Sequence, residues 1–139
     1  FVFYGEEEYA SYELYKKQWE IWFVPDVLVQ HRVNVKTRKQ NKDYIIRLRR
    51  SLRAGWYLYF LYYPVTLIPR RFFYTLWVQL KLKVFKGDLK ALIAILKALF
   101  DVIVNSPKYI NNNKRLSIKE FRDFQTLEET KIYWKQNCS

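Results

Sequence analysis

The chain has 139 residues, a formal charge of +12 and a pI near 9.8, yet half of its residues are hydrophobic and 19% are aromatic. That profile excludes a disordered basic tail, which is poor in aromatics, and gives enough chain for one modest core. The lone cysteine, Cys138, excludes a disulfide framework and a Cys-based zinc site, and the excess of cations points to an anionic partner that also offers apolar contact: membrane headgroups, nucleic acid or a pyrophosphate ligand.

The aromatic run Phe1–Tyr4 reads as a strand that passes through Gly5 into Glu6, Glu7 and Glu8. It starts without Met, so the chain is expected to be a piece of a longer polypeptide. Glu6 to Trp19 is predicted to be a helix, with Tyr9, Tyr12, Leu14, Tyr15 and Trp19 at near-helical spacing and Lys16 and Lys17 in the last turn. Its three leading acids fall where free backbone N–H groups stabilise negative charge, either to complement the helix dipole or to hold a carboxylate ready for chemistry. Ile21–Val24 is β-branched and aromatic, Pro25-Asp26 is a turn, and Val27–Val33 alternates, so two short strands are expected, followed by a basic loop from Asn34 to Lys42.

Asp43 to Tyr63 is predicted to be a long helix with Arg47, Arg49, Arg50 and Arg53 in its first half and Trp56, Tyr57, Tyr59, Phe60, Tyr62 and Tyr63 in its second. Such a helix can slant into a headgroup layer, or pack into a core and snorkel its guanidinium groups. Pro64 and Pro69 bracket a break before a helix from Arg70 to Lys86, and Gly87-Asp88 marks its end and a fresh N-cap. Leu89 to Val104 is a third helix, apolar nearly all round, expected to lie between neighbours or in a lipid surface and to stop at Asn105-Ser106-Pro107. Ser117 and Glu120 form a capping box that opens a last helix, reaching about Gln136. The uncharged run Ala54–Pro69 is short and broken at Pro64, and Lys90, Lys97 and Asp101 interrupt the run Leu89–Val104, so neither reads as a transmembrane span.

The order of these pieces resembles a known family. An aromatic run into Gly5-Glu6-Glu7, a helix ending in Lys16-Lys17, a Trp/Phe strand closing on Val24-Pro25-Asp26, a strand ending on Gln30-His31-Arg32-Val33, and a basic aromatic helix reaching Tyr62-Tyr63-Pro64 is similar to the C-terminal part of family 2 nucleotide-sugar glycosyltransferases. The likeness is strongest to bacterial rhamnosyl- and galactofuranosyltransferases with a GT-A fold, and it covers residues 1 to about 104. It implies an α+β, mostly α, class: residues 1–41 as the tail of a GT-A catalytic domain, 42–104 as membrane-peripheral amphipathic helices, and 105–139 as a linker and C-terminal helix.

The resemblance also implies a chemistry. Inverting sugar transfer needs a base for the acceptor hydroxyl and a cation for the departing diphosphate. By position Glu7 is the base, with Glu6 beside it to contact acceptor hydroxyls; His31 is a candidate ligand to Mg²⁺ or Mn²⁺; Arg32, Lys36 and Arg38 are candidate diphosphate or acceptor contacts. Arg47, Arg50, Arg53, Trp56, Arg70, Arg71 and Trp77 are candidate membrane contacts on the cytoplasmic face of the inner membrane. The implied partners are a nucleotide-sugar donor, a glycan or lipid-linked acceptor and an anionic membrane surface, with copies of the piece associating through exposed edges.

Tyr9, Glu13 and Gln18-Trp19 depart from the family pattern, and the Asp-x-Asp metal motif is absent from these residues, so the piece alone is expected to be inactive, with no cofactor bound to it. The competing readings are a non-enzymatic basic module on anionic membranes and a nucleic-acid-binding helical domain reading Arg47 to Arg53, which lacks helix-turn-helix spacing, zinc ligands or an RNP-like strand.

Overall fold

The computed structural model describes residues 5–19, 43–110 and 114–127. They form five α-helices: α1 Glu6–Lys16, α2 Tyr44–Tyr62, α3 Ile68–Leu82, α4 Leu89–Tyr109 and α5 Ile118–Gln125, with single 3₁₀ turns at Val65–Leu67 and Val84–Lys86. No strand occurs among the described residues, which corrects the α+β class to an all-helical one. The stretches expected as strands, 1–4, 21–24 and 27–33, lie outside the described residues.

The local chemistry explains most helix limits. Gly5, at φ 78°, occupies the left-handed region just before α1 and turns the chain into its acidic first turn. At the other end Gln18 is left-handed at φ 57°, its amide donates to the Tyr15 carbonyl and the Trp19 amide reaches back to Leu14, a Schellman closure that stops α1 short of the expected Trp19. Pro69 does not precede α3 but sits in its first turn, where its missing N–H costs nothing. Gly87 at φ 88° ends the following 3₁₀ turn, and the Asp88 carboxylate accepts from the Ala91 amide at 2.9 Å to open α4.

α4 runs through Pro107 to Tyr109 instead of stopping at Asn105. Pro107 cannot donate to the Ile103 carbonyl; the Ser106 hydroxyl approaches that oxygen at 3.5 Å, Tyr109 stacks on Tyr57 with centroids 4.2 Å apart, and the Ile110 amide donates to the Ser106 carbonyl at 3.2 Å, so packing and a backbone bond hold the last turn.

α2 is the central element, and two clusters meet on it. On one side Trp56 and Tyr57 pack with Ile95, Ala98 and Val102 of α4, and Phe72, Leu76 and Leu80 of α3 close over them. Ala91, Ala94 and Ala98, three and four residues apart, are all fully buried, and their small side chains let α4 lie close against its neighbour. On the other side Leu58, Leu61 and Tyr62 gather Tyr12 of α1 with Leu116 and Phe121. Arg115 donates to the Tyr63 and Phe60 carbonyls at 2.5 and 3.0 Å, satisfying the carbonyl end of α2 and tying the 114–116 segment across it.

Candidate functional site

α1 presents its first turn to solvent and its middle to the core. Glu6, Glu7 and Glu8 are all exposed, at the end of the helix where unpaired N–H groups favour negative charge. Lower down, the Tyr12 ring stacks on Tyr62 at 4.8 Å and packs against Phe124 at 4.7 Å. The next residue, Glu13, accepts from Lys114 Nζ at 2.9 Å and from the Tyr62 hydroxyl in a very short hydrogen bond, while Lys114 also reaches the Tyr9 hydroxyl at 3.1 Å.

The electrostatics of this knot are self-consistent. The hydrogen bonds from Lys114 and Tyr62 hold the Glu13 carboxyl below its usual range; burial, and then the Glu13 carboxylate, push the Tyr62 phenol well above its own. Glu13 is thus a side chain that fixes α1 to α2 and to the 114–116 segment. A carboxylate on the exposed turn of a helix pinned in this way holds its position relative to the fold and stays open to a hydroxyl-bearing ligand.

His31, Arg32, Lys36 and Arg38 lie outside the described residues. Among the described residues no group of three His, Cys, Asp or Glu side chains forms a cluster able to hold a metal ion, so Glu6, Glu7 and Glu8 do not by themselves make a divalent site.

The candidate membrane contacts separate into two sets. On α2, Arg47 pairs with Asp43 at 2.5 Å, Arg53 reaches Asp101 at 3.3 Å, and Trp56 is only 2% exposed, its indole N–H donating to the Thr75 hydroxyl at 3.1 Å. Trp56 is therefore a core side chain, whereas Arg50 is exposed and Arg47 and Arg53 are half-buried. On α3, Arg70, Arg71 and Trp77 are all exposed, and Trp77 meets Phe85 edge to face at 5.8 Å.

Two features were not singled out by residue type. Leu89, Ile93, Leu96, Phe100 and Ile103 recur at four- and three-residue steps along α4 and are all exposed, Phe100 at 67%. The alternation of these large residues with Ala91, Ala94 and Ala98 was the sequence signal: the small face packs and the large face is left outside. Arg122 joins Arg70 and Arg71 around a cleft of about 480 Å³ between α3 and α5, which Tyr74, Phe121 and Gln125 also line. Among the described residues no helix is long and apolar enough to cross a membrane.

Comparison with protein-family models, with curated proteins and with solved structures finds no match to this chain.

Proposed function

We propose that these residues belong to the C-terminal part of an inverting glycosyltransferase that works peripherally at the cytoplasmic face of a membrane. The observation that carries the reading is the exposed Glu6-Glu7-Glu8 turn on a helix anchored by Tyr12 and Glu13. In this reading the Glu7 carboxylate takes the proton of an acceptor hydroxyl as that oxygen bonds to the anomeric carbon; the bond to the diphosphate breaks on the opposite side, and the nucleoside diphosphate leaves with the electron pair. Glu6 contacts acceptor hydroxyls. A donor-binding half outside these residues would hold the nucleotide-sugar, and His31 would join it as a ligand to the divalent cation that steadies the departing diphosphate.

The test is the stereochemistry of transfer by a polypeptide that joins these residues to that donor-binding half. Transfer with inversion at the anomeric carbon, abolished by Glu7→Gln and kept with Glu8→Gln, supports the reading; a product of retained configuration overturns it. A second reading, a non-enzymatic module bound to anionic membranes, is favoured by the exposed apolar residues of α3 and α4 among Lys81, Lys86, Lys90 and Lys97. It requires vesicle binding that scales with anionic lipid, with no transfer under any donor.

A further inference from the structure

The cleft between α3 and α5 has a composition that packing does not require. Among the described residues Arg70, Arg71 and Arg122 line it and no carboxylate does. Among the described residues none of these three guanidinium groups makes a hydrogen bond or an ion pair, whereas Arg47, Arg49, Arg53 and Arg115 all do. Like charges brought together without a counterion repel, so such a cluster is favoured where an anion completes it. Guanidinium groups match phosphate oxygens in paired hydrogen bonds, and the Tyr74 hydroxyl and Gln125 amide offer further donors at the same cleft.

The surroundings say which phosphate. Arg70, Phe73, Tyr74 and Trp77 fall at i, i+3, i+4 and i+7 on α3 and so share one face, and Phe73, Tyr74 and Trp77 are each more than half exposed. A free phosphate or a nucleic-acid backbone would use the cations and leave Phe73 and Trp77 in water. An anionic bilayer uses both, with headgroup phosphates at the guanidinium level and aromatic rings at the acyl boundary. We propose that the cleft ringed by Arg70, Arg71 and Arg122 is a binding site for the phosphate of an anionic phospholipid headgroup, occupied as Phe73 and Trp77 enter the acyl boundary.

This inference rests on the peripheral location proposed above but not on Glu7, which lies on α1; failed vesicle binding would leave the sugar-transfer test intact, and failed transfer would leave this one intact. The experiment is flotation of the 139-residue chain with vesicles of phosphatidylcholine alone or with phosphatidylglycerol added. It compares Arg70→Gln/Arg71→Gln/Arg122→Gln with a control of equal charge loss, Lys17→Gln/Lys108→Gln/Lys119→Gln. Each cation near an anionic surface is worth about fivefold in binding, and a cation at a built site more, so the cleft triple is expected to lose roughly tenfold more affinity than the control triple.

Equal losses in the two triples would overturn the site and leave only general attraction. Loss confined to binding of inorganic phosphate or of a random-sequence duplex, with vesicle binding intact, would overturn the lipid assignment. Should the cleft triple fail to fold, Arg70→Gln alone, at an exposed position, is compared with Lys108→Gln by the same measure.

Discussion

Arg49 of α2 grips Asp101 of α4 with both arms of its guanidinium, at 2.6 and 2.7 Å. The Asp101 side chain is only 10% exposed, and Arg53 approaches it from one turn further along α2. The same residue's backbone carbonyl accepts from the Tyr57 hydroxyl at 3.1 Å and from the Asn105 amide at 2.8 Å. Asp101, the residue that speaks most strongly against α4 as a membrane span, is therefore the polar lock between the two helices that make the core. Asp101→Ala is expected to destabilise the chain by about 2 kcal/mol, below the roughly 3–5 of a fully buried pair because both arginines are partly exposed and can rehydrate. A lowered urea midpoint at unchanged slope checks it.

The same carboxylate sets a pH dependence. The Arg49 hydrogen bond holds Asp101 below its ordinary 3.8, and hydrogen bonds from Lys114 and Tyr62 hold Glu13 below its ordinary 4.5. Both groups bind protons more readily in the unfolded chain, so their stabilisation is fully present above these ordinary values and is lost as pH falls through them toward the lower folded values. The urea midpoint is expected to fall below about pH 5, and Asp101→Asn to fall less steeply over that acid range than the parent chain.

Glu13 is a positioning residue for the acidic turn. Glu13→Gln removes the charge that Lys114 and Tyr62 both address and is expected to cost about 1 kcal/mol, with a local signature. Amide hydrogen exchange should quicken across α1 while the amides of α2 and α4 keep their protection. Uniform acceleration across all helices would mean that Glu13 serves global stability and does not pin α1.

The capping box at the start of α5 is complete: the Ser117 hydroxyl accepts from the Glu120 amide at 3.2 Å, and the Glu120 carboxylate accepts from the Ser117 amide at 2.7 Å. Ser117→Ala is expected to cost about 1 kcal/mol and to fray a helix of only two turns. Because α5 carries both the buried Phe121 and the cleft residue Arg122, the variant should also weaken vesicle flotation; unchanged flotation with a frayed α5 would show that Arg122 does not need the helix to act.

Much of the helical order was legible because it rests on local chemistry. Asp43 to Tyr63 matched α2 within a residue at each end, and Gly87-Asp88 and Ser117-Glu120 marked caps that the structure realises. What the sequence misassigned depends on tertiary partners. Pro107 reads as a stop unless one knows that Tyr57 waits to stack on Tyr109, and Gln18 gives no sign that it will take the left-handed position usually left to glycine. Trp56 looked like a headgroup contact by type, but it is 2% exposed with the Thr75 hydroxyl across from its indole N–H, and only the fold brings that partner near. Arg70 and Arg71 were legible as candidate membrane contacts, but their meeting with Arg122 was not, since Arg122 comes to them from a helix some fifty residues later in the chain.

The transferase reading stands on Glu7, and single-turnover sugar transfer measures it most directly. In a polypeptide that joins these residues to the donor-binding half, Glu7→Gln is expected to slow transfer by roughly a hundredfold to ten-thousandfold, the contribution of a general base, with donor affinity unchanged and Glu8→Gln close to the parent rate. A Glu7→Gln enzyme that transfers at the parent rate would contradict the assignment.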